Sequence, residues 1–370
     1  MDAKKKIGIL TFHRAINYGA VLQAFALQEC LKNMIKDADI EFIDFYDANT
    51  YKVICVNSLK TFVKWCIKQI DGSRKRIIKF RRFVIRHLQL SKAHWTNNKD
   101  LLATPPEYDV YITGSDQVFN PYNRDYQVNF LGFKPSKPYK KIAYSASMGV
   151  NEFPKDKLDN IKTYLSDFSN ISCRESQSVQ YLSKLGFSSQ WTVDPVFLLS
   201  SKEWTEKLNL ITIKDRLGLP EKYIFVYDLN GKEKLMSYAY KLSDVTKLPI
   251  ICLTSNFLQH YRVHKMFRGL GPDEFLACLS NASYVVTDSF HGTALSIVFR
   301  RSFFTLIAFE RVKNRITSLL ELLHLESRLL HEGYVFNKLK IEYSQEILEK
   351  LQTAIEDSKS YLKVAIEDKK

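Results

Sequence analysis

The sequence predicts an α/β fold made of two doubly wound domains, each a parallel sheet with helices packed on its faces. Apolar runs of strand length alternate with helical periodicity along most of the 370 residues. This alternation implies parallel strands joined by helical crossovers. It restarts near the middle of the chain, and 370 residues are enough for two cores of ordinary size. The sequence therefore predicts one sheet in each half.

The first set of elements occupies residues 1–199. Its predicted strands are Lys6–Phe12, Ile40–Phe45, Tyr108–Thr113, Lys141–Ser147 and Ile171–Arg174. Its predicted helices are Gly19–Lys32, Lys155–Phe168 and Ser176–Gly186, with a basic helical insert at residues 57–92.

The second set follows the apolar run Val193–Leu199 and a polar helical connector. Its predicted strands are Tyr223–Asp228, Pro249–Leu253, Ser283–Thr287 and Ser302–Ile307. It has five predicted helices. One ends at Lys241, two cover Asp273–Ala282 and Asn314–Leu323, and two begin at Gly292 and at Tyr343. We place the boundary within residues 195–222 and divide the chain into domains 1–199 and 200–370.

Composition excludes several classes of protein. A content of 45% hydrophobic and 25% charged residues is that of a globular chain, not of a disordered or fibrous one. The six cysteines form no C-x-x-C pair, which argues against a zinc site and a disulfide framework and favours a reducing compartment. No run approaches the ~20 apolar residues of a membrane-spanning helix. We expect a soluble, cytoplasmic protein.

The net charge of +14 predicts an anionic partner, and much of it lies in the basic insert. Between residues 60 and 92 the only acid is Asp71, against these cations: Lys60, Lys64, Lys68, Arg74, Lys75, Arg76, Lys79, Arg81, Arg82, Arg86 and Lys92. Trp65, Phe80 and Phe83 alternate with them and either point outward or form the insert's own core. The insert is a solvated helical face, a surface for anionic lipid or, less favoured because no such motif accompanies it, a nucleic-acid surface.

Ligands of doubly wound sheets bind beyond the carboxyl ends of the strands, which selects the loops that follow strands. His13–Gly19 offers backbone N–H groups at a helix N-terminus, or is a plain turn. Thr113–Pro121 combines Asp116 with Gln117 and Asn120, a mixture that suits sugar hydroxyls or else an Asx turn and helix cap.

Arg174 follows a predicted strand and precedes a helix. A guanidinium at this position binds a carboxylate or phosphate with two parallel hydrogen bonds, or pairs with the neighbouring Glu175.

The segment Thr287–Thr293 is the strongest candidate for an anion site in the second domain. Ser289 and Thr293 supply hydroxyls, and His291 and Gly292 begin a helix whose N-terminus favours negative charge. A histidine also moves protons near neutral pH. The alternative is a histidine that only caps the helix.

The next strand is followed by three cations, Arg311, Lys313 and Arg315. They either belong to this anion site or are solvated surface residues. The sequence contains no phosphate-binding P-loop, no G-x-S-x-G nucleophile elbow and no H-E-x-x-H metal motif. One D-x-D, Asp37–Asp39, precedes a strand and so lies at the wrong end of the sheet.

Six short segments, in this order, resemble the polysaccharide pyruvyl transferase family. They are Asn17–Leu27, Gly114–Pro121, Tyr144–Gly149, Cys173–Glu175, Val193–Phe197 and Thr287–Ala294. The resemblance runs from about Ile7 to Leu325. Phe119 stands where the family more often has tryptophan, Met148 where it often has an aromatic residue, and the basic insert is not part of the shared pattern.

The resemblance implies a GT-B-like fold, two Rossmann-like domains facing across a cleft, with the acceptor on the first and the donor on the second. It implies phosphoenolpyruvate as co-substrate, with no cofactor or metal, and a sugar of a capsule, an exopolysaccharide or a lipid-linked precursor as acceptor. The product is a pyruvate ketal on two sugar hydroxyls, with phosphate released. The enzyme would then lie in the cytoplasm, with peripheral contact at the anionic inner face of the plasma membrane, and we expect no nucleic-acid partner.

The resemblance makes His291 the residue nearest the chemistry, and we add Asp116 as general base or hydroxyl ligand. The expected donor ligands are Arg174, Ser289, Gly292, Thr293, Arg311 and Lys313. The expected acceptor ligands are Asn17, Gly114, Ser115, Gln117 and Asn120.

Two rival interpretations stay open. A glycosyltransferase that uses a nucleotide sugar would need an acid for the ribose, and Asp228 is the one acid at a strand end of the second domain that could serve. A nucleic-acid or membrane-binding module with a vestigial site would bind DNA or vesicles in a salt-sensitive manner and release no phosphate from phosphoenolpyruvate.

Overall fold

The computed structural model describes residues 4–46, 72–231, 233–254 and 261–368, except the side chains of residues 310–312. Two sheets, of seven and six strands, contain only parallel strand pairs in this part of the chain. The first sheet consists of β1 Lys5–Leu10, β2 Ala38–Phe45, β3 Leu90–Trp95, β4 Val110–Thr113, β5 Lys140–Ala146, β6 Asn170–Cys173 and β7 Gln190–Trp191. The second consists of β8 Ile224–Asp228, β9 Ile250–Thr254, β10 Lys265–Phe267, β11 Tyr284–Thr287, β12 Ser302–Leu306 and β13 Leu329–Leu330.

Helices alternate with the strands. Those associated with the first sheet are Tyr18–Met34, Asn98–Ala103, Tyr126–Asn129, Lys155–Leu165 and Ser176–Lys184. Those associated with the second are Ser201–Leu208, Leu210–Leu217, Glu233–Thr246, Pro272–Ser280, Phe290–Val298 and Glu310–Leu322. Helix Ser73–His87 follows β2, and helix Gln345–Glu367 ends the described chain.

Both sheets have the doubly wound strand order of Rossmann folds. The first runs β3-β2-β1-β4-β5-β6-β7 and the second β10-β9-β8-β11-β12-β13. The order reverses between β1 and β4 in the first sheet and between β8 and β11 in the second. Such reversal points, at the carboxyl ends of the strands, are where doubly wound folds bind their ligands.

The central strands read as continuous apolar runs because helices cover both of their faces. In β4 and β11, every residue is buried. Separate apolar clusters form under the two sheets, for example around Phe130 and Ile161 in the first and around Val286 and Phe304 in the second. The sequence-predicted α/β fold class is therefore confirmed.

The chain separates into two compact units. One contains residues 1–50, 84–199 and 350–370, and the other contains residues 51–83 and 200–349. The predicted division at residue 199 holds neither for the C-terminus, assigned above to the second domain, nor for residues 72–83 of the basic insert, assigned above to the first. Helix Gln345–Glu367 packs on the first sheet, because Tyr361 Oη donates to the carbonyl of Ala143 (2.9 Å) and Ser358 Oγ accepts from the amide of Val193 (2.9 Å).

One local prediction was also wrong. Residues 90–92, expected in the basic helical insert, belong to edge strand β3, and the basic helix ends at His87. The apolar run Val193–Leu199 is mainly a 3-10 helix, Pro195–Leu198, whose N-cap Asp194 accepts from the amide of Val196. Residues 57–71 of the insert, including Trp65, lie outside the described residues. No helix in the described segments is long and apolar enough to span a membrane.

Candidate functional site

In the first unit, the reversal point is formed by the ends of β1 and β4. Thr11 Oγ1 donates to the carbonyl of Ser115 (3.1 Å) and accepts from Gln23 (2.8 Å), which ties the two strand ends to the following helix. Gly114 lies against this contact, because a Cβ there would sit 3.1 Å from the Thr11 Cβ. Gly114 thus serves close backbone packing, and the Ser115 side chain is fully buried.

Asp116 has a backbone conformation that is rare for any residue other than glycine. Its φ is 72° and its ψ is −171°, a combination that costs about 1–3 kcal/mol. Three bonds hold it there: its carbonyl accepts from the amides of Val118 (2.7 Å) and Ser147 (2.9 Å), and its Oδ1 accepts from the amide of Gln117 (2.9 Å). Strain that surrounding structure maintains at a polar loop is a mark of functional sites.

Arg174 lies in a cluster of three carboxylates. Its Nη1 is 2.5 Å from Asp194 Oδ2, its Nε is 3.5 Å from Glu175 Oε1, and its Nη2 is 3.9 Å from Asp116 Oδ1. Asp194 also accepts from Ser115 Oγ (2.9 Å), and Glu175 from Ser147 Oγ (2.7 Å). The side chain of Arg174 is only 3% exposed and that of Asp116 is 15% exposed. Asp116 is thus the carboxylate of this cluster that solvent reaches most.

The carboxylates already balance the charge of Arg174. Burial would lower the pKa of Arg174, but Asp194, Glu175 and Asp116 outweigh it and raise that pKa. A buried guanidinium surrounded by three acids has little charge left for an anionic ligand. The geometry therefore favours a positioning role, holding Asp116 and Asp194, over the donor contact expected from the sequence.

The remaining predicted acceptor ligands divide into two groups. Gln117 Oε1 accepts from Asn120 Nδ2 (2.8 Å), and both amides lie against Gly149, where a Cβ would come within 2.6 Å of Gln117 Oε1. These two amides closely follow Asp116 in the chain. Asn17 instead caps helix Tyr18–Met34, accepting from the amide of Ala20 at 3.3 Å.

A second ion cluster, not predicted from the sequence, lies at the ends of β1 and β2. Arg14 binds Asp44 through two bonds of 2.6 Å, and the fully buried His13 places its Nε2 3.3 Å from Asp44 Oδ1. Burial would raise the pKa of Asp44, but the bonds to His13 and Arg14 outweigh it and lower that pKa. This cluster fixes the loop between β1 and its helix.

We expect Asp44→Asn to lower the free energy of unfolding by about 3 kcal/mol at neutral pH, since it leaves buried His13 and half-buried Arg14 without their carboxylate. The folded-state pKa of Asp44 lies below its unfolded value, so the stabilisation is present above the unfolded pKa of about 3.9 and is lost as pH falls through the folded pKa. Urea titrations from pH 7 down to about pH 3 should therefore show the gap between variant and wild type closing in acid.

Asp39→Asn, at an exposed position of the same strand, is the matched control and should change little. A gap for Asp44→Asn that stays constant over this pH range would contradict the ionic origin.

In the second unit, the reversal point lies between β8 and β11, and the predicted segment Thr287–Thr293 is there. Ser289 is the N-cap of helix Phe290–Val298 and accepts from the amide of Gly292 (3.3 Å). Gly292 is required for packing, because a Cβ would lie 2.5 Å from Thr287 Oγ1. Thr293 Oγ1 donates to the carbonyl of Ser289 (3.0 Å) and bonds Thr305 Oγ1 (2.9 Å). These residues shape the helix N-terminus.

His291 lies in the first turn of this helix and is 7% exposed, with its ring 5.2 Å from that of Phe290. Lys313 is exposed on the first turn of the helix that follows β12, and the side chain of Arg311 lies outside the described residues. The structure therefore brings His291, Ser289, Gly292 and Thr293 together at one helix N-terminus.

Two buried acids at this edge shape the loop after β8. Asp288 accepts from the amides of Leu229 (2.9 Å) and Asn230 (3.2 Å), and burial raises its pKa. Asp228 is 1% exposed and accepts from Gly231, Thr254 and Tyr261. Asp228 is thus committed to internal bonds, which disfavours the role of a ribose ligand.

Arg76, expected from the sequence only as part of the basic insert, is a further candidate site residue. Its helix packs on the loop after β10, where a Cβ on Gly269 would lie 2.8 Å from the carbonyl of Gly72 and 3.6 Å from the amide of Arg76. Its Nε is buried with no acceptor within the described residues. Burial raises the pKa of Tyr227, near the end of β8, while the charge of Arg76 and a bond with Ser289 oppose the rise. Arg76 and Ser289 thus both interact with Tyr227.

Comparisons with known proteins agree with this architecture. A family model described as polysaccharide pyruvyl transferase matches residues 17–308, and curated proteins provide no significant match. A Listeria monocytogenes protein assigned as a UDP-N-acetylglucosamine 2-epimerase superposes with a TM-score of 0.50 at 12% identity, covering 98% of this chain and 91% of that one. The Neisseria meningitidis UDP-GlcNAc 2-epimerase gives 0.49 at 10% identity, covering 98% and 94%. The E. coli ADP-heptose LPS heptosyltransferase II gives 0.37 at 10% identity, covering 95% and 99%. The match at a TM-score of 0.50 agrees with a GT-B-like fold, with two Rossmann-like sheets in one chain.

Proposed function

Because this chain belongs to the polysaccharide pyruvyl transferase family, we propose that it transfers the pyruvyl group of phosphoenolpyruvate to two hydroxyls of a sugar and forms a cyclic ketal. The acceptor is a repeat unit of a capsule or exopolysaccharide, carried on a lipid at the cytoplasmic face of the membrane. Phosphoenolpyruvate is a co-substrate, and the proposal requires no cofactor.

One observation supports this proposal most. The residues that resemble the family occupy the strand-order reversal points of both sheets, Asp116 after β4 and His291 after β11. Each position is the ligand-binding edge of a doubly wound sheet. One edge presents a carboxylate and amides, which suit a sugar, and the other a helix N-terminus and cations, which suit an anion.

The proposed reaction releases as many protons as it takes up. The methylene carbon of phosphoenolpyruvate takes a proton, and the first sugar hydroxyl adds to C2 and loses one. The C2–O bond to phosphate then breaks with a proton passing to the leaving phosphate, and the second hydroxyl adds to C2 and loses its proton. Two protons leave the hydroxyls, one ends on the new methyl group and one on phosphate, so a base and an acid suffice.

In this proposal, the second unit binds the donor. The N-terminus of helix Phe290–Val298 faces the phosphate, with Ser289, Gly292 and Thr293 shaping that turn. His291 delivers the proton to the methylene carbon or holds the departing phosphate. Arg76 and Lys313, with Arg311, supply positive charge for the phosphate and carboxylate.

The first unit binds the acceptor. Asp116 accepts the proton of an attacking hydroxyl, and Gln117 and Asn120 orient the sugar ring. Arg174 is a positioning residue: together with Asp194 and Ser115, it keeps the loop of Asp116 in its strained conformation.

The experiment is a transfer assay with phosphoenolpyruvate and a panel of galactosides and mannosaminides. Mass spectrometry should find an acceptor carrying a pyruvate ketal, with one equivalent of phosphate released. In D₂O the new methyl group should contain a single solvent-derived deuterium. Turnover of UDP- or CMP-sugars in place of phosphoenolpyruvate, with no ketal product, would favour the glycosyltransferase alternative instead.

We expect Asp116→Asn to keep phosphoenolpyruvate binding but to lower transfer by roughly 10²–10⁴-fold, because the amide cannot take a proton. If Asp116 only forms a turn, asparagine should replace it with little loss, since both residues suit such turns. Transfer rates of purified variants, with donor binding followed by thermal shift, separate the two.

A comparison of Asp116→Gly with Asp116→Ala tests the backbone strain at residue 116. Both remove the carboxylate, but only alanine keeps the strain, so the glycine variant should be the more stable of the two in urea. Equal stability would mean that the backbone of residue 116 relaxes.

A further inference from the structure

We propose that the exposed face of helix Ser73–His87 is a docking surface for anionic lipid. The role of this surface rests on the proposed function, in which a lipid-linked acceptor is modified at the membrane. The observations that support lipid binding come from the helix itself.

The exposed face of this helix has an aliphatic centre between cationic flanks. Ile78 and Ile85 are 46% and 59% exposed. They are seven residues apart, so they lie two turns apart on the same side of the helix. The exposed cations of the helix are Arg74, Lys75, Arg81, Arg82 and Arg86. At 100° per residue, Arg74 and Arg81 fall on one side of the isoleucine line and Lys75, Arg82 and Arg86 on the other. The sequence of this helix contains no acid.

Buried contacts hold the opposite face inward. Phe80 and Phe83 are 0% and 3% exposed. Lys79 Nζ is 2.6 Å from Glu274 Oε2, and that carboxylate also accepts from the amide of Gly271 (2.9 Å). The loop of Gly269 and Gly271 lets the helix pack closely, because added Cβ atoms would lie 3.2 Å from the Cβ atoms of Lys75 and Lys79. The cationic face is therefore presented to solvent by a helix that is anchored along its other side.

This pattern fits a lipid surface better than nucleic acid. Interfacial helices place aliphatic side chains at the boundary of the acyl chains and cations among the headgroups. Single-stranded nucleic acid is bound through aromatic stacking, and this face exposes no aromatic side chain. Two exposed isoleucines at the centre of the charged face would add nothing to phosphate contacts along a duplex.

The structure also changes the set of residues expected from the sequence. Phe80 and Phe83 point into the core and take no part in docking. Arg76 is only partly exposed, with a buried Nε, so it is not part of this surface.

The test compares the full-length chain with three variants in vesicle co-sedimentation. The first replaces Arg74, Lys75, Arg81, Arg82 and Arg86 with glutamine. The second is Ile78→Asn with Ile85→Asn. The third is a control that loses the same charge from exposed positions elsewhere, with Lys134, Lys137, Lys155, Lys184 and Lys222 replaced by glutamine. Vesicles contain phosphatidylcholine alone or with about 30% phosphatidylglycerol.

Wild type and the lysine control should bind the anionic vesicles, bind neutral ones weakly, and release at about 0.5 M NaCl. The five-cation variant should bind on the order of 10³-fold more weakly, at about five-fold per cation. The isoleucine variant should lose affinity while keeping its salt dependence. Unchanged binding by the five-cation variant, equal loss in the lysine control, or tighter binding to duplex DNA through the same five cations would overturn the proposal.

Transfer to a short water-soluble acceptor separates this inference from the proposed function. The five-cation variant should transfer at the wild-type rate, because none of its positions lies in the donor or acceptor site. If neither the wild type nor any variant transfers the pyruvyl group, the result counts against the proposed function alone, since vesicle binding is measured independently.

Discussion

Replacing His291 with alanine is expected to lower turnover by roughly 10²–10⁴-fold, the usual loss when a positioned acid or base is removed. His291 lies in the first turn of helix Phe290–Val298, where the N-terminal dipole favours a bound anion. Initial rates of phosphate release with saturating acceptor, and a melting curve to establish folding, provide the measurement.

His291→Gln distinguishes the two roles that this residue can have. Glutamine can still donate a hydrogen bond to phosphate but cannot deliver a proton to carbon. If His291 transfers the proton, the glutamine variant should be as slow as the alanine variant, with the KM for phosphoenolpyruvate little changed. If it holds phosphate, glutamine should recover much of the rate and alanine should raise the KM. Near-normal turnover in both variants would remove His291 from the site.

Replacing Arg174 with methionine is expected to cost about 3–5 kcal/mol of folding free energy, because it leaves three buried or half-buried carboxylates without their shared cation. Urea unfolding measures this loss directly. Arg174→Lys should lose less but not recover wild-type stability, since an ammonium cannot reach several carboxylates as a guanidinium fork does.

A second substitution tests the cause. Adding Asp194→Asn to Arg174→Met removes the carboxylate with the shortest contact, 2.5 Å, and should return part of the stability. A raised KM for phosphoenolpyruvate in Arg174→Lys, with wild-type unfolding, would contradict the positioning role and support direct donor contact.

Local pattern was sufficient to predict the fold class and to place the candidate loops at the carboxyl edges of the sheets. Strand β11 is a buried apolar run that ends at a hydroxyl and an acid, and that change of polarity marks the carboxyl edge of a sheet without knowledge of its neighbours. The same holds for β4 and the segment Gly114–Gln117. Periodicity and turn chemistry act over a few residues, and these features are contained within a few residues.

Other features depend on contacts that are distant in sequence. Edge strand β3 has largely exposed side chains and so lacks the apolar run of the inner strands. The strain at Asp116 and the three acids around Arg174 arise from loops after β4, β6 and β7 that only the folded sheet brings together. The sequence does not distinguish Arg76 from the ten other cations of residues 60–92. Only the packing of its helix on the loop of Gly269 sets it apart.

The return of the C-terminal helix to the first sheet has a consequence for the order of events during synthesis. The first unit is assembled from residues 1–50, 84–199 and 350–370, so it stays incomplete while the ribosome makes the 150 residues from 200 to 349. At about 5–20 residues per second, that interval lasts roughly 8–30 s. Throughout it, the backbone groups of Ala143 and Val193 lack the partners that Tyr361 and Ser358 later provide. The second unit can close before the first does, because the part of the last helix that completes the first unit is synthesised after residues 200–349.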